Sequence, residues 1–219
     1  NDQCHDEELQ PKLTVQFNDN KGDQDDNFSK SQQVHSNNPL INSPQSIQSN
    51  SFNACSIAIN LKNTKISSYI HSNHFEECNQ CILSYGLGNI TKNEFIASKY
   101  ESIRFLKQSK AICRNNTFSF NQISIIADDQ SLPEISLNLF IEYSIAIFIQ
   151  KQSICFIHDN EFCGNLGVSL WNHSRCNAVN NKFNSMKLGV KINQSSSADL
   201  KENKFSNCEE CVRICTRVS

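Results

Sequence analysis

Long apolar runs, net charge, glycine and proline are all in short supply, and each shortage removes a class of protein. The most apolar stretch, Ile135 to Ile149, is interrupted by Asn138 and Glu142 and falls short of the ~20 residues that a bilayer-spanning helix requires. A formal net charge of −2 gives no general attraction to nucleic acid or an anionic membrane surface, and no basic stripe with interleaved aromatics supplies a local one. With six glycines and four prolines in 219 residues, there is no Gly-rich phosphate loop and no Gly-x-Ser-x-Gly elbow. Tryptophan and methionine occur once each. The polar fraction is instead dominated by Asn and Ser, and the apolar fraction by Phe and Ile.

Asparagine and phenylalanine recur together. Asn-x-Phe begins at Asn50, Asn73, Asn93, Asn116, Asn138, Asn160, Asn181 and Asn203, with steps of 23, 20, 23, 22, 22, 21 and 22 residues. Three residues before each Asn stands Ile47, Ile70, Ile90, Cys113, Ile135, Ile157, Ala178 or Leu200. After each Phe comes a short run of alternating apolar residues such as Ile103-Arg-Phe105, Ile123-Ser-Ile125, Ile145-Ala-Ile147 or Val190-Lys-Ile192. Alternation of period two marks half-buried strands, and a repeat of this length marks a solenoid.

A coil of ~22 residues can lay three short strands around a triangle, each pairing with the next coil at about 4.8 Å. The sequence therefore predicts an all-β, right-handed parallel β-helix of about eight coils over residues 46–219. Residues 1–45 read as a polar, disordered arm in which Leu13-Thr-Val-Gln-Phe17 forms a stray strand or part of a cap. Ile and Phe are expected in internal columns. Each repeated Asn is expected at a corner with a left-handed backbone, its amide forming a ladder between coils. A leucine-rich repeat has a similar period but needs an apolar residue five before the Asn. That position holds Gln45, Ser68, Gly88, Ala111, Pro133, Cys155, Cys176 and Ala198, none of them leucine.

The repeat resembles the parallel β-helix of the pectate-lyase-like superfamily, over about residues 47 to 215. Within it, Tyr85-Gly-Leu-Gly-Asn-Ile-Thr-Lys-Asn-Glu-Phe95 and Ser197-Ala-Asp-Leu-Lys-Glu-Asn-Lys-Phe205 are similar to the β-helix repeats of F-box-only ubiquitin-ligase receptors. Those receptors usually carry Gly before the post-Phe strand, which here holds at Gly167 and Gly189 alone, and the N-terminal region shows no F-box. The resemblance implies a surface that recognises other proteins.

Catalysis on such a scaffold would need acids from adjacent coils on one exposed strand face. Alternation gives the outward row as Ala58, Leu83, Arg104, Ser124, Ala146, Ser169, Lys191 and Arg213, without an acid, so neither a calcium site nor an acid pair is expected there. Asp128-Asp129 resembles the acid pair of polygalacturonases but has no third acid one coil away, and reads as a solvated turn. Cys78/Cys81 and Cys208/Cys211 are spaced like zinc half-sites, yet six coils separate them, about 29 Å, and one tetrahedral ion cannot join them. Trp171 reads equally as an exposed anchor or as the cover of a turn.

The expected function is a non-catalytic recognition or scaffold β-helix that binds a protein partner, with the substrate-recognition part of a ubiquitin ligase as its narrower form. Its candidate surface is Arg104, Ser169, Trp171, Lys191 and Arg213. A carbohydrate-active or carbohydrate-binding β-helix, or a spacer in a larger repeat protein, is the alternative. No cofactor, metal, nucleic acid or membrane is expected, and the oligomeric state is open. Eleven cysteines are many for a cytosolic protein, but their count is odd and their spacing is not that of a small disulfide scaffold. Asn-x-Ser/Thr triplets occur at Asn89, Asn115, Asn172 and Asn193. The compartment is read as cytoplasmic or nuclear, or extracellular if the full-length gene carries a signal peptide. The start at Asn1 and the stop at Ser219, a few residues past a strand, fit a segment of a longer protein.

Overall fold

In the computed structural model, residues 45–61, 67–193 and 195–215 are described, together with the backbone of Leu13–Val15. They form a right-handed parallel β-helix, the hand that connections between parallel strands take in nearly all proteins. Each of eight coils contributes one strand to each of three sheets. In the first coil these are Gln45–Gln48, Ser51–Asn53 and Ile57–Leu61; in the eighth they are Ser197–Lys201, Lys204–Ser206 and Glu210–Ile214. We call these the first, second and third sheets. Leu13–Val15 adds an antiparallel strand beside Ile57–Leu61, pairing Leu13 with Leu61 and Val15 with Ile59. That pairing covers backbone groups which an open sheet edge leaves unsatisfied. The rest of the N-terminal arm proposed from composition lies outside the described residues.

Every second-sheet strand carries one inward Phe, and the register aligns them coil upon coil. From Phe52 to Phe205 their rings stack at centroid separations of 4.7 to 4.9 Å and within 10° of parallel. The spacing equals the coil-to-coil distance, so one backbone repeat sets both the hydrogen bonds and the aromatic contacts. Ile47, Ile70, Ile90, Cys113, Ile135, Ile157 and Ala178 form a second buried column on the first sheet. Burial fades in the last coil, where Leu200, Phe205 and Val212 are partly covered.

The asparagine column joins these sheets. Asn116 donates its backbone N–H and its Nδ2 to Oδ1 of Asn138, at 2.9 and 3.0 Å, and its Nδ2 also reaches the carbonyl of Ile90 in the coil before. The same amide-to-amide link repeats from Asn50 through Asn203. Asn73 through Asn181 are all buried, so each amide answers groups that have no access to water.

The left-handed corner, however, is not at the Asn. It lies one residue earlier, at Ser49, Ser72, Lys92, Asn115, Leu137, Asp159, Asn180 and Glu202, with φ between 53° and 57°. That rotation lets the corner residue donate its N–H to the next coil, as Leu137 does to the His158 carbonyl, while the following Asn turns its side chain inward. Paired hydrogen bonds offset the roughly 1–2 kcal/mol that a left-handed non-glycine residue costs. Seven corners thus continue the ladder without glycine, which explains how a solenoid of tight turns manages with so few.

A second polar column closes the third corner: Ser109, Ser131, Ser153 and Ser174, all fully buried. Ser109 Oγ donates to the Gly86 carbonyl, Ser174 Oγ to that of Ile149, and Ser131 Oγ to Ser153 Oγ. The sequence signal for it is Lys107-Gln-Ser109, Asp129-Gln-Ser131, Lys151-Gln-Ser153 and Asn172-His-Ser174 at 21- to 22-residue steps.

Three substitutions check this architecture by chemical denaturation. Phe140→Ala removes a fully buried ring between two others and should cost about 3–5 kcal/mol; a change within about 0.5 kcal/mol, typical of a surface site, would contradict the stack. Asn160→Ala should cost about 2–4 kcal/mol, because it strands the amide and N–H of Asn138 and the carbonyls of Ile135 and His158. Asn193→Ala removes one side-chain bond, to the Leu170 carbonyl, and should cost clearly less. Equal losses would mean that the ladder adds nothing.

Candidate interaction surface

The third-sheet strands do not alternate strictly. Ile57–Leu61 turns Ala58, Ile59 and Leu61 into the core and Ile57 and Asn60 outward. Two consecutive residues therefore face in, the first of them small. That column reads Ala58, Cys81, Ser102, Ser124, Ala146, Gly167, Gly189 and Cys211. It is small because it lies beside the Phe stack: a Cβ on Gly167 would sit 2.5 Å from the Gly189 carbonyl and 2.9 Å from the Phe183 ring.

The outward row expected from alternation is corrected accordingly. Ala58, Ser124 and Ala146 are inward. Register places Leu83, Arg104, Ser169, Lys191 and Arg213 in one outward column with Asn60, Ile126 and Phe148. A second outward column holds Ile57, Gln80, Glu101, Ile123, Ile145, Leu166, Leu188 and Glu210. The face is therefore not free of acids. Counting from each Phe, rather than following the apolar alternation, finds both columns in most coils, because the strand begins five residues after Phe52, Phe75, Phe118, Phe140, Phe183 and Phe205. An extra residue after Phe95 and a missing one after Phe162 hide the pattern in two coils.

Its middle is apolar. Ile123, Ile126, Ile145, Phe148, Leu166 and Leu188 adjoin one another over four coils outside the core cluster; Ile126 and Leu188 are buried and the other four half-buried. Charged pairs bound this stretch. Glu101, 4% exposed, accepts from Gln80 Nε2 at 2.5 Å and pairs with Arg104 at 3.0 Å. Five coils on, at the same two positions, Arg213 pairs with Glu210. The two acids are separated by about 24 Å and cannot act as one acid–base pair.

Of the candidate binding residues, the structure brings Ser169, Trp171 and Lys191 together. Trp171 Nε1 donates to Ser169 Oγ at 3.1 Å, and Lys191 Nζ lies 5.8 Å from the indole centroid. Trp171 is 41% exposed, so it is a surface ring with a cation over it. Arg213 is one coil beyond Lys191, whereas Arg104 is three coils below Ser169, across Ile126 and Phe148. Beside Trp171 a groove of about 410 Å³ is lined by Gln152, Ile154, His173 and Arg175.

Other motifs resolve into structure. Asp128 is buried and paired with the exposed Lys151 at 3.1 Å, so half of the expected solvated turn is a buried carboxylate held by a surface lysine; Asp129 is the exposed half. His74 bonds Glu94 at 2.9 Å across one coil. Asn115 and Asn172 are exposed, whereas Asn193 is buried.

A family model described as periplasmic copper-binding protein (NosD) matches residues 18–187 and, in an overlapping second match, residues 138–218. The chain belongs to the NosD family. Overlap of this kind is natural for a solenoid, since a repeat model that fits some coils fits again after a shift by whole coils. No curated protein and no solved structure matches the chain. The family match supports the β-helix and extends no support to the F-box resemblance.

The copper in the family's description can be tested against the donors of this NosD-family chain. Among the described residues, no three His, Cys, Asp or Glu side chains converge as ligands, so no copper chemistry is derived for them. Thiols instead interact with one another at the second corner of the first coils. There Cys55 and Cys81 hydrogen-bond to Cys78, which is thereby held well below the usual thiol range. Cys55 is pushed up by its bond to Cys78 and by burial, and Cys81 by burial and by its bond to Cys78. Cys155 and Cys176 stand in register one coil apart. Burial pushes Cys155 far up and Cys176 up to about 12.

The described cysteines other than Cys55 are free thiols, and their reactivity follows from this placement. Alkylation of the native protein should label the exposed Cys163 and Cys211 first. Cys113, Cys155 and Cys176 should label only on unfolding, because the thiolate is the nucleophile and burial suppresses it. Peptide mass spectrometry showing fast labelling of that trio at pH 8, or a Cys155–Cys176 disulfide in freshly isolated protein, would contradict the packed-thiol description.

Proposed function

We propose that this chain is a non-catalytic scaffold which binds a protein partner through the outward face of its third sheet. One observation carries the reading: the half-buried Ile123, Ile145, Phe148 and Leu166, backed by the buried Ile126 and Leu188, form a contiguous apolar stretch on the outward side of a sheet, where alternation normally places polar residues. Membership of a β-helix family is consistent with a binding or scaffold role. The narrower ubiquitin-ligase reading rests on two short segments, and the family match does not favour it. The family's description names the periplasm, which favours the extracytoplasmic alternative over the cytoplasmic or nuclear placement read from sequence.

A second reading has its own observation. Exposed Trp171 beside the groove of Gln152, His173 and Arg175 offers a stacking ring next to hydrogen-bonding side chains, a combination suited to a sugar. Immobilised chain and an Ile145→Glu/Phe148→Glu variant, both checked for retained fold by circular dichroism, separate the two. Under the protein-binding reading, a protein is retained by the parent chain and lost at least tenfold by the variant. If no protein distinguishes them, and a polysaccharide is bound with loss on Trp171→Ala, the carbohydrate reading replaces it.

A further inference from the structure

The charges around the apolar patch say what kind of protein fits it. On both flanking strands the acid stands at the first outward position and the arginine at the second, Glu101 with Arg104 and Glu210 with Arg213. Between them lie four coils with Ile123, Ile126, Ile145, Phe148, Leu166 and Leu188, and with Ser169 and Lys191 at the second outward position of the last two. Consider two such faces related by a two-fold axis parallel to the solenoid axis. Coil order is kept and strand direction reversed, so the first outward column of one copy meets the second column of the other. Glu210 then faces the other copy's arginine at position 213, Ile145 meets Phe148 and Leu188 meets Lys191, while Glu101 stays buried against its own Arg104. Turning the axis parallel to the strands would instead set Arg104 against Arg213, a like-charge contact.

We infer that the occupant of this face is a second copy of the same chain, packed sheet on sheet in that orientation. The inference rests on the protein-binding reading and specifies its partner. Accessible charges of both signs at the Glu210–Arg213 end suit a self-complementary, isologous contact. A partner of one charge would be repelled by half of each pair. Aligned packing of two sheets about 10 Å apart is a standard arrangement. The face measures roughly 34 Å by 13 Å, so two copies bury on the order of 1,000 Å² in total. That is the lower end for specific interfaces, and the dimer should be weak and concentration-dependent.

Sedimentation equilibrium of the chain over a range of concentrations tests this. The expected result is a reversible monomer–dimer equilibrium that Ile145→Glu weakens at least tenfold while circular dichroism stays unchanged. Glu210→Arg and Arg213→Glu, at exposed positions, should each weaken self-association, and their equimolar mixture should recover it as a heterodimer. A dimer indifferent to these substitutions, or a mixture that does not recover, overturns the inference. A chain that stays monomeric but captures a different protein in an Ile145-dependent way also overturns it and leaves the protein-binding reading standing. A monomer without face-dependent capture removes both.

Discussion

One asparagine per coil fixes the position of everything else. Its Nδ2 holds the carbonyl of the preceding coil and its Oδ1 accepts two donors from that coil's Asn, so a displaced coil would leave several buried polar groups without partners at once. The Phe stack two residues later answers to the same spacing, and its rings can lie parallel at 4.8 Å because the backbones do. Polar satisfaction therefore supplies the registry and apolar burial supplies most of the driving force. A small change in coil length is absorbed in the turns, as in the 20-residue step between Asn73 and Asn93.

That registry also turns sequence distance into spatial proximity. Residues about 22 apart become neighbours, so columns and not single residues are the units of chemistry. The inward columns have become Phe, Ile, small, Asn and Ser. The outward columns are freer, and on the third sheet they carry an apolar stretch bounded by Glu–Arg pairs. A solenoid coil contacts just its neighbours, which leaves a long outer face free to specialise without disturbing the core. Trp171 with Lys191 over it, and the groove beside it, form a separate feature at the corner of the same coils.

Membership of the NosD family agrees with the repeat and supplies a description that mentions copper. The donors described in this chain do not gather for a metal. Its cysteines instead fill inward positions: Cys113 takes an Ile position, Cys81 a small one, and Cys155 and Cys176 pair in register on the first sheet. In these places a thiol serves as a small apolar group, and burial keeps it protonated.

The fold class, the period and both principal internal columns were legible from the sequence, because Asn-x-Phe and the preceding Ile recur at positions that local counting can find. The small inward column and the serine column were present as patterns but weaker, since Ala, Cys, Ser and Gly share a size and not a chemistry. What tertiary structure alone decided was which residues face outward. Strict alternation placed Ala58, Ser124 and Ala146 on the surface, whereas the ring stack needs two successive inward residues and moves the row. The left-handed corner likewise fell one residue before the Asn, where an N–H must point at the next coil. Coil lengths that vary by a residue leave the local pattern ambiguous; hydrogen bonding between coils resolves it, and with it the face that meets a partner.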